Sequence, residues 1–189
     1  GKGSKDKKEN IKKNLDYVAK KMNVERDKLI LMHQTHSNKV IEIKKNNYKK
    51  KIIADAMITK MKGFALGVVT ADCVPILLYD TKNRIIGCIH AGWKGALLDI
   101  IKNTISKMKK ISSGNKIYAC VGPCIGKKSY EVDKNFYKMF IAKSKNNKFF
   151  FSNKNKTKKL FNLRKFVTSR LLKANIKIDQ VKRDTFAEK

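Results

Sequence analysis

The chain has 189 residues, 42% of them hydrophobic, which is enough to bury a core and excludes a disordered chain. Its net charge is +30, and nearly all of the excess is lysine, spread along the chain, rather than the arginine of dedicated nucleic-acid readers. We therefore expect no specific nucleic-acid partner, and a basic nucleic-acid-binding module is kept as an alternative.

The first half of the chain predicts one helix followed by short buried strands. The charged segment 2–28 has an apolar residue every three or four positions, which predicts an amphipathic helix with the face Ile11, Leu15, Val18 and Met22. Short apolar runs between polar turns predict strands at residues 29–32, 40–43, 63–70, 76–80 and 85–90, with residues 54–59 leading into the strand at 63–70. The later strands are almost uncharged, which is typical of a sheet covered on both faces.

The second half predicts alternating helices and strands. A helix is expected after Gly95 and before Ser112, followed by a buried strand at 117–121 and a helix at 136–142. The lysine- and asparagine-rich segment 143–159 is predicted to be an exposed excursion around three consecutive phenylalanines, 149–151. A last helix is predicted to carry Leu160, Leu163, Phe166, Val167, Leu171 and Leu172.

Residues 1–189 show no internal repeat and no domain boundary, which predicts a single mixed α/β domain with a central, mostly buried sheet flanked by helices. Because the chain starts at Gly1 and stops at Lys189 without a closing element, we expect a domain truncated at both ends. A monomer is expected. The absence of a signal peptide, of an apolar run of about 20 residues and of a CxxC pair predicts a cytoplasmic protein without a membrane partner.

Three segments place polar or glycine residues where an apolar strand is predicted to end. They are residues 33–36, 70–75 and 90–95, and they contain all three histidines of the chain: His33, His36 and His90. Concentration of such residues at strand ends is typical of a site built from loops along one edge of a sheet.

Two imidazoles and one thiolate, from His36, His90 and Cys73, form a ligand set that suits zinc. Three protein ligands leave one tetrahedral position free, as in catalytic zinc sites. Their spacing alone does not establish a site, because Cys73 as a small buried residue and His90 as a core histidine explain the pattern as well. A further hypothesis pairs Cys73, as a hydrolase nucleophile, with His90.

Five motifs follow one another along the chain: His33-Gln34-Thr35-His36-Ser37, Asp55-Ala56, Thr70-Ala71-Asp72-Cys73-Val74-Pro75, His90-Ala91-Gly92-Trp93-Lys94-Gly95 and Gly122-Pro123-Cys124-Ile125-Gly126, the last followed by Tyr130-Glu131-Val132. In this order they resemble the motifs of the YfiH-like family, also described as the multicopper polyphenol oxidoreductase or laccase-domain family. The resemblance spans residues 1–189 and implies a YfiH-like fold.

The resemblance implies a purine nucleoside phosphorylase that splits adenosine, inosine, guanosine or methylthioadenosine with phosphate as co-substrate. It also implies adenosine deaminase activity at the same site. The family's metal ligands map onto His36, Cys73 and His90, with Zn²⁺ as the expected ion and copper as the alternative. The older family label implies a copper-dependent polyphenol oxidase, for which three histidines are few. The family normally has a further N-terminal segment and an aromatic, arginine-rich tail, both outside this sequence.

Catalytic roles are predicted for Cys73, His90 and Asp72. The carboxylate of Asp72 lies next to the thiolate in sequence, where it would orient a ligand or carry a proton, or serve simply as a turn residue.

Substrate-binding roles are predicted for Gln34, Gly92, Lys94 and Gly122. Gly92 would let the backbone approach an anion at the start of a helix, and Lys94 would add a point charge for phosphate. Gly122 would line a base or ribose site with backbone, or form a plain turn.

Overall fold

The computed structural model describes residues 6–188. Its helices are α1 (Lys8–Lys21), α2 (Trp93–Leu97), α3 (Ile100–Lys110), α4 (Lys134–Lys143) and α5 (Leu163–Lys173), with short 3₁₀ helices at Arg26–Lys28 and Lys145–Phe150. Its strands are β1 (Leu29–Leu31), β2 (Val40–Glu42), β3 (Ala56–Thr59), β4 (Ala65–Gly67), β5 (Val74–Asp80), β6 (Ile85–Ala91), β7 (Ile117–Val121), β8 (Glu131–Asp133), β9 (Phe151–Asn153), β10 (Lys158–Phe161) and β11 (Lys177–Gln180). Across this part of the chain, every helix is too short or too polar to cross a bilayer.

A six-stranded mixed sheet forms the centre of the fold, with the strand order β11-β7-β5-β6-β3-β2. The inner strands β7, β5, β6 and β3 pair antiparallel, whereas the edge strands β11 and β2 run parallel to their neighbours. Two smaller sheets pair β1 with β4 and join β8, β10 and β9. The predicted class, a mixed α/β domain with a largely buried sheet, is confirmed.

The two faces of the central sheet carry different residues, because side chains alternate along each strand. Ile76, Ile89 and Val121 are neighbours in register and fully buried in the main core, which also contains residues of α3 and α5. Cys88 and His90 alternate with Ile89 on β6 and therefore point to the opposite face. The sheet thus presents His90 on the side away from α3 and α5.

The predicted apolar face of the first helix is wrong in part, and residues 2–5 of that prediction lie outside the described residues. Ala19 is buried and Leu15 half-buried against the short strands β1 and β4. Val18 and Met22 are 42% and 57% exposed. The helix packs through Leu15 and Ala19, so its contact face is rotated away from Val18 and Met22.

The helix predicted after Gly95 is divided into α2 and α3. Asp99, between them, has a left-handed backbone with φ of +65°, which cannot continue a right-handed helix. The strand predicted at 63–70 is shorter than expected, since only Ala65–Gly67 pair with a neighbouring strand.

The prediction of an exposed excursion at 143–159 is confirmed for most of its residues, which are exposed, but the segment is not irregular. This segment forms a 3₁₀ helix and the strand β9, which pairs with β10. Phe150 and Phe151 pack against the main core, and only Phe149 of the three is exposed. The aromatic run therefore closes one end of the core, while the lysines around it face solvent.

The last helix begins at Leu163 rather than Leu160. Leu160 belongs to β10, and the Asn162 side chain accepts a hydrogen bond from the Lys165 amide, which caps the helix. The short strands β8 and β11 were not predicted, because their sequences are too polar and too brief to show an alternating pattern.

Candidate metal centre

The three residues proposed as metal ligands converge at one end of the central sheet. His36 lies in the loop after β1, Cys73 directly precedes β5, and His90 lies near the end of β6. One ligand atom from each lies within 4.8 Å of the others. The Cys73 sulfur is 3.7 Å from Nε2 of His36, and the two imidazole rings meet edge to face at 4.7 Å. Among residues 6–188 this is the one such group of His, Cys, Asp or Glu side chains.

His90 is oriented by a buried carboxylate, Asp55, whose Oδ1 lies 2.8 Å from its Nδ1. Burial raises the pKa of Asp55, but hydrogen bonds from His90, Ser37 and Thr35 outweigh it and lower the pKa to about 2. The carboxylate is therefore ionised and accepts the Nδ1 proton, which leaves Nε2 of His90 with a free lone pair. Carboxylates orient metal-binding histidines in this way in many proteins.

The same carboxylate fixes the loop that carries His36. It accepts hydrogen bonds from the backbone amides of Thr35, His36 and Ser37 at 3.2, 3.0 and 2.7 Å. The hydroxyls of Thr35 and Ser37 donate to it as well. His36 has a φ of +57°, a left-handed conformation that a non-glycine residue adopts at a cost. Asp55 offsets that cost by binding the three successive amides.

The protonation state of His90 favours metal binding, because its imidazole is neutral. In the absence of a cation, the protonation state of Cys73 does not favour metal binding. Burial lowers the pKa of His90, and the bond to Asp55 offsets this only in part, so the neutral ligand form predominates. Burial raises the pKa of Cys73, and the carboxylates of Asp72 and Asp55 raise it further. A nearby cation would reverse this effect and stabilise the thiolate.

Gly92 lies directly against two of the three proposed ligands, which are called the ligand group below. A Cβ atom at this position would stand 2.8 Å from Cδ2 of His36 and 3.0 Å from the Cys73 sulfur. Glycine is therefore the residue that leaves room beside both ligands. Lys94 follows in α2 with an exposed side chain, and Trp93 packs against Phe136 at 5.1 Å as part of the core.

Gln34 and Gly122 both make hydrogen bonds to backbone. The Gln34 amide donates to the Val69 carbonyl at 2.8 Å and accepts from the Val69 amide at 2.9 Å. The Gly122 amide donates to the Pro75 carbonyl at 2.9 Å. Both residues hold segments that lead to the ligands, His36 in one case and Cys73 in the other.

Asp72 is exposed, and its Oδ1 accepts a hydrogen bond of 3.0 Å from the Thr185 hydroxyl. His33 is exposed and belongs to no ligand group in the described chain; its backbone pairs with residues 52 and 54.

The sequence-based list of site residues missed Asp55. Its signal was the Asp55-Ala56 pair, which is one of the five motifs and had no role assigned to it. A buried aspartate immediately before an apolar strand needs several donors, and here those donors come from both histidine segments.

Comparison with known proteins identifies the family of this chain. The model of the family described as multi-copper polyphenol oxidoreductase laccase matches residues 1–189. A purine nucleoside phosphorylase of Rickettsia conorii is 39% identical over 164 residues, covering 84% of this chain and 66% of the relative. The adenosine deaminase RL5 of an unknown prokaryotic organism is 34% identical over 124 residues, covering 61% of this chain and 47% of the relative.

This chain thus spans just under two thirds of the length of the Rickettsia relative, 66%. The crystal structure of YfiH from Bacillus licheniformis superposes with a TM-score of 0.89 at 24% identity, covering 100% of this chain and 76% of that one. Such a likeness shows a common fold. As the motifs predicted, the chain belongs to the multi-copper polyphenol oxidoreductase laccase family, which is also called YfiH-like.

Proposed function

We propose that this chain forms the metal-dependent catalytic domain of a purine nucleoside phosphorylase that also deaminates adenosine. The nucleosides would be adenosine, inosine, guanosine and methylthioadenosine, with phosphate as co-substrate. The proposal is carried by the convergence of His36, Cys73 and His90, and the printed names of the Rickettsia relative and of RL5 support it.

The donor set fits a single zinc ion. Two imidazole nitrogens and one sulfur are ligands that zinc takes in catalytic sites, and Asp55 fixes the tautomer of one imidazole. The copper oxidase that the family description names would need histidines for several ions. The sequence has three histidines in total, and one of them, His33, lies outside the group of proposed ligands. Two histidines are too few for several copper ions. We therefore assign one zinc rather than several coppers.

A zinc ion at this position would supply a Lewis acid with one open coordination site. The chain's own residues then have separate tasks. Asp55 holds the two histidines in place, and Gly92 keeps the space beside His36 and Cys73 clear. Asp55, which is fully buried, thus supports the proposed ligands without being one of them.

Phosphorolysis breaks the bond between the purine and C1′ of the ribose and forms a bond from C1′ to a phosphate oxygen. Positive charge develops on the ribose, and the departing base takes up a proton, so catalysis is largely positioning and electrostatic stabilisation. We assign the phosphate contact to Lys94, whose exposed ammonium follows Gly92 at the start of α2. Gly122 is proposed to line the nucleoside site through its backbone.

Two further assignments follow from local contacts. Asp72 is proposed to carry a proton, since it is the exposed carboxylate adjacent to Cys73. Gln34 is proposed to act on substrate binding through the loop that it ties to Val69, because both ends of its amide are engaged there.

The experiment is incubation of the protein, purified without added metal, with inosine and phosphate. Release of hypoxanthine and ribose 1-phosphate is followed by chromatography, and bound metal is measured by elemental analysis. Cys73→Ser should abolish release, whereas Cys120→Ser, a half-buried cysteine outside the ligand group, should retain it.

Metal-loaded protein that releases no base would contradict the phosphorylase. Several coppers per chain, together with oxygen-dependent oxidation of a phenol, would support the oxidase instead.

A further inference from the structure

We propose that Arg164 is a positioning residue of the metal centre, acting through the loop that follows β7; its effect on turnover rests on the function proposed above. The Arg164 guanidinium donates to the backbone carbonyls of Gly122, Val181 and Arg183 at 3.0, 2.9 and 2.9 Å. A single planar group thus joins two segments, residues 122–125 (the 122–125 loop) and residues 181–188 (the C-terminal segment).

The three hydrogen bonds of the Arg164 guanidinium, called the clamp below, start from a helix that is packed on the main core. Arg164 is the second residue of α5, between Leu163 and the helix turn that contains Phe166, both fully buried in the main core. Its position is therefore set by core packing rather than by the surface segments that it holds.

The 122–125 loop in turn holds the backbone on both sides of Cys73. The Gly122 amide donates to the Pro75 carbonyl at 2.9 Å, and the Ile125 amide donates to the Asp72 carbonyl at 3.0 Å. Since Asp72 and Pro75 bracket the thiol, the position of the Cys73 sulfur depends on where this loop lies.

The C-terminal segment also contacts both the 122–125 loop and Asp72. The Cys124 amide donates to the Arg183 carbonyl at 3.3 Å, and the Thr185 amide donates to the Cys124 carbonyl at 3.2 Å. The Thr185 hydroxyl then donates to Oδ1 of Asp72 at 3.0 Å. Arg164 therefore controls both the backbone and the side chain of Asp72, one residue from the ligand.

Arginine suits this role because its planar fork offers several N–H donors in fixed directions, whereas a lysine ammonium is a single point on a flexible stem. Three carbonyls from two segments need such a fork. A lysine at this position would keep the charge but not hold all three carbonyls together.

The test uses Co²⁺ alone as the probe, because its absorption reports both affinity and ligand geometry without turnover. Arg164→Ala should bind Co²⁺ about tenfold more weakly than the wild type, with an altered cobalt–thiolate band, and millimolar guanidinium should restore part of both. Arg164→Lys should fall between the two. Lys165→Ala changes the next residue of α5, an exposed cation outside the clamp, and should match the wild type.

A melting temperature that falls in Arg164→Ala while cobalt affinity and spectrum stay at wild-type values would overturn the proposal and leave Arg164 a purely structural residue. If the alanine variant does not fold, the lysine variant decides by the same two readouts. In turnover of inosine with phosphate, Arg164→Ala should lower kcat more than it raises KM. A wild type that releases no base would refute the phosphorylase, while the cobalt comparison would still decide the role of Arg164.

Discussion

Oδ1 of Asp55 lies 2.8 Å from Nδ1 of His90, in a group that is completely buried. The other hydrogen bonds of this carboxylate come from residues 35–37, so it organises the segment of a second proposed ligand, His36. Two proposed ligands that are distant in sequence thereby share one anchor. Metal affinity and local stability should consequently change together when Asp55 is altered.

Asp55→Asn is expected to weaken zinc binding by about 10- to 100-fold, the range typical of residues that support metal ligands. An amide can accept at one atom only, and its NH₂ group would face backbone donors, so stability should also fall by about 3 kcal/mol. Competition with a chromophoric chelator measures the affinity, and urea unfolding of the metal-free protein measures the stability.

Asp80→Asn is the matched control for this variant. Asp80 is also fully buried and also accepts from backbone and side-chain donors, but it lies at the far end of β5 from Cys73. It should lose stability with unchanged zinc affinity. Equal loss of zinc affinity in both variants would show that Asp55 acts through general destabilisation.

Gly92→Ala should reduce zinc affinity at least about tenfold, because the added methyl group would stand 2.8 Å from the His36 ring and 3.0 Å from the Cys73 sulfur. Gly67→Ala is the control, since its methyl group would meet the flexible end of Leu31, away from the ligands. Titration with zinc distinguishes them. Wild-type affinity in Gly92→Ala would mean that the ligands shift freely and that this glycine does not shape the centre.

The proposed metal ligands could be named from the family motifs, since their position at strand ends does not by itself establish a site. His36, Cys73 and His90 lie at or beside the ends of predicted strands, and the motifs around them carry the resemblance to one family. Asp55 could not be assigned the same way. Its importance comes from donors 18 to 35 residues away, which no local pattern connects to it.

Tertiary packing also explains what local patterns predicted wrongly. The three phenylalanines at 149–151 stand among lysines and asparagines, which favours an exposed loop, yet Phe151 pairs in register with Phe161 of β10 and closes the core. The contact of Thr185 with Asp72 joins residues 113 positions apart. Such contacts depend on the topology of the sheet and are not encoded in any short segment.

Acid should weaken the contribution of Asp80 to stability. Burial raises the pKa of Asp80, but hydrogen bonds from Asn115, Asn83 and the Lys116 amide outweigh it and lower the pKa to about 2. An aspartate in the unfolded chain has a pKa of about 3.9. The Asp80 carboxylate therefore stabilises the fold above that pH and loses this effect as the pH falls toward 2.

The stability difference between the wild type and Asp80→Asn should therefore be about 2 kcal/mol at pH 7 and shrink below about pH 4. Urea unfolding at a series of pH values measures it. Asn115→Ala removes one donor and should show a smaller loss. A difference that stays constant down to pH 2.5 would mean that the Asp80 carboxylate is not preferentially ionised in the folded protein.

The two histidines in the loop after β1 offer the sharpest comparison for the ligand set. His36 lies with Cys73 and His90, whereas His33, three residues earlier in the same loop and likewise exposed, lies outside the group. His36→Asn should lower zinc affinity by at least about 100-fold because a direct ligand is removed, and His33→Asn should leave it unchanged. Asparagine retains the tolerance for left-handed backbone that His36 requires at φ of +57°, so the loop should keep its path. Isothermal titration with zinc measures both variants, and equal affinities would remove His36 from the centre.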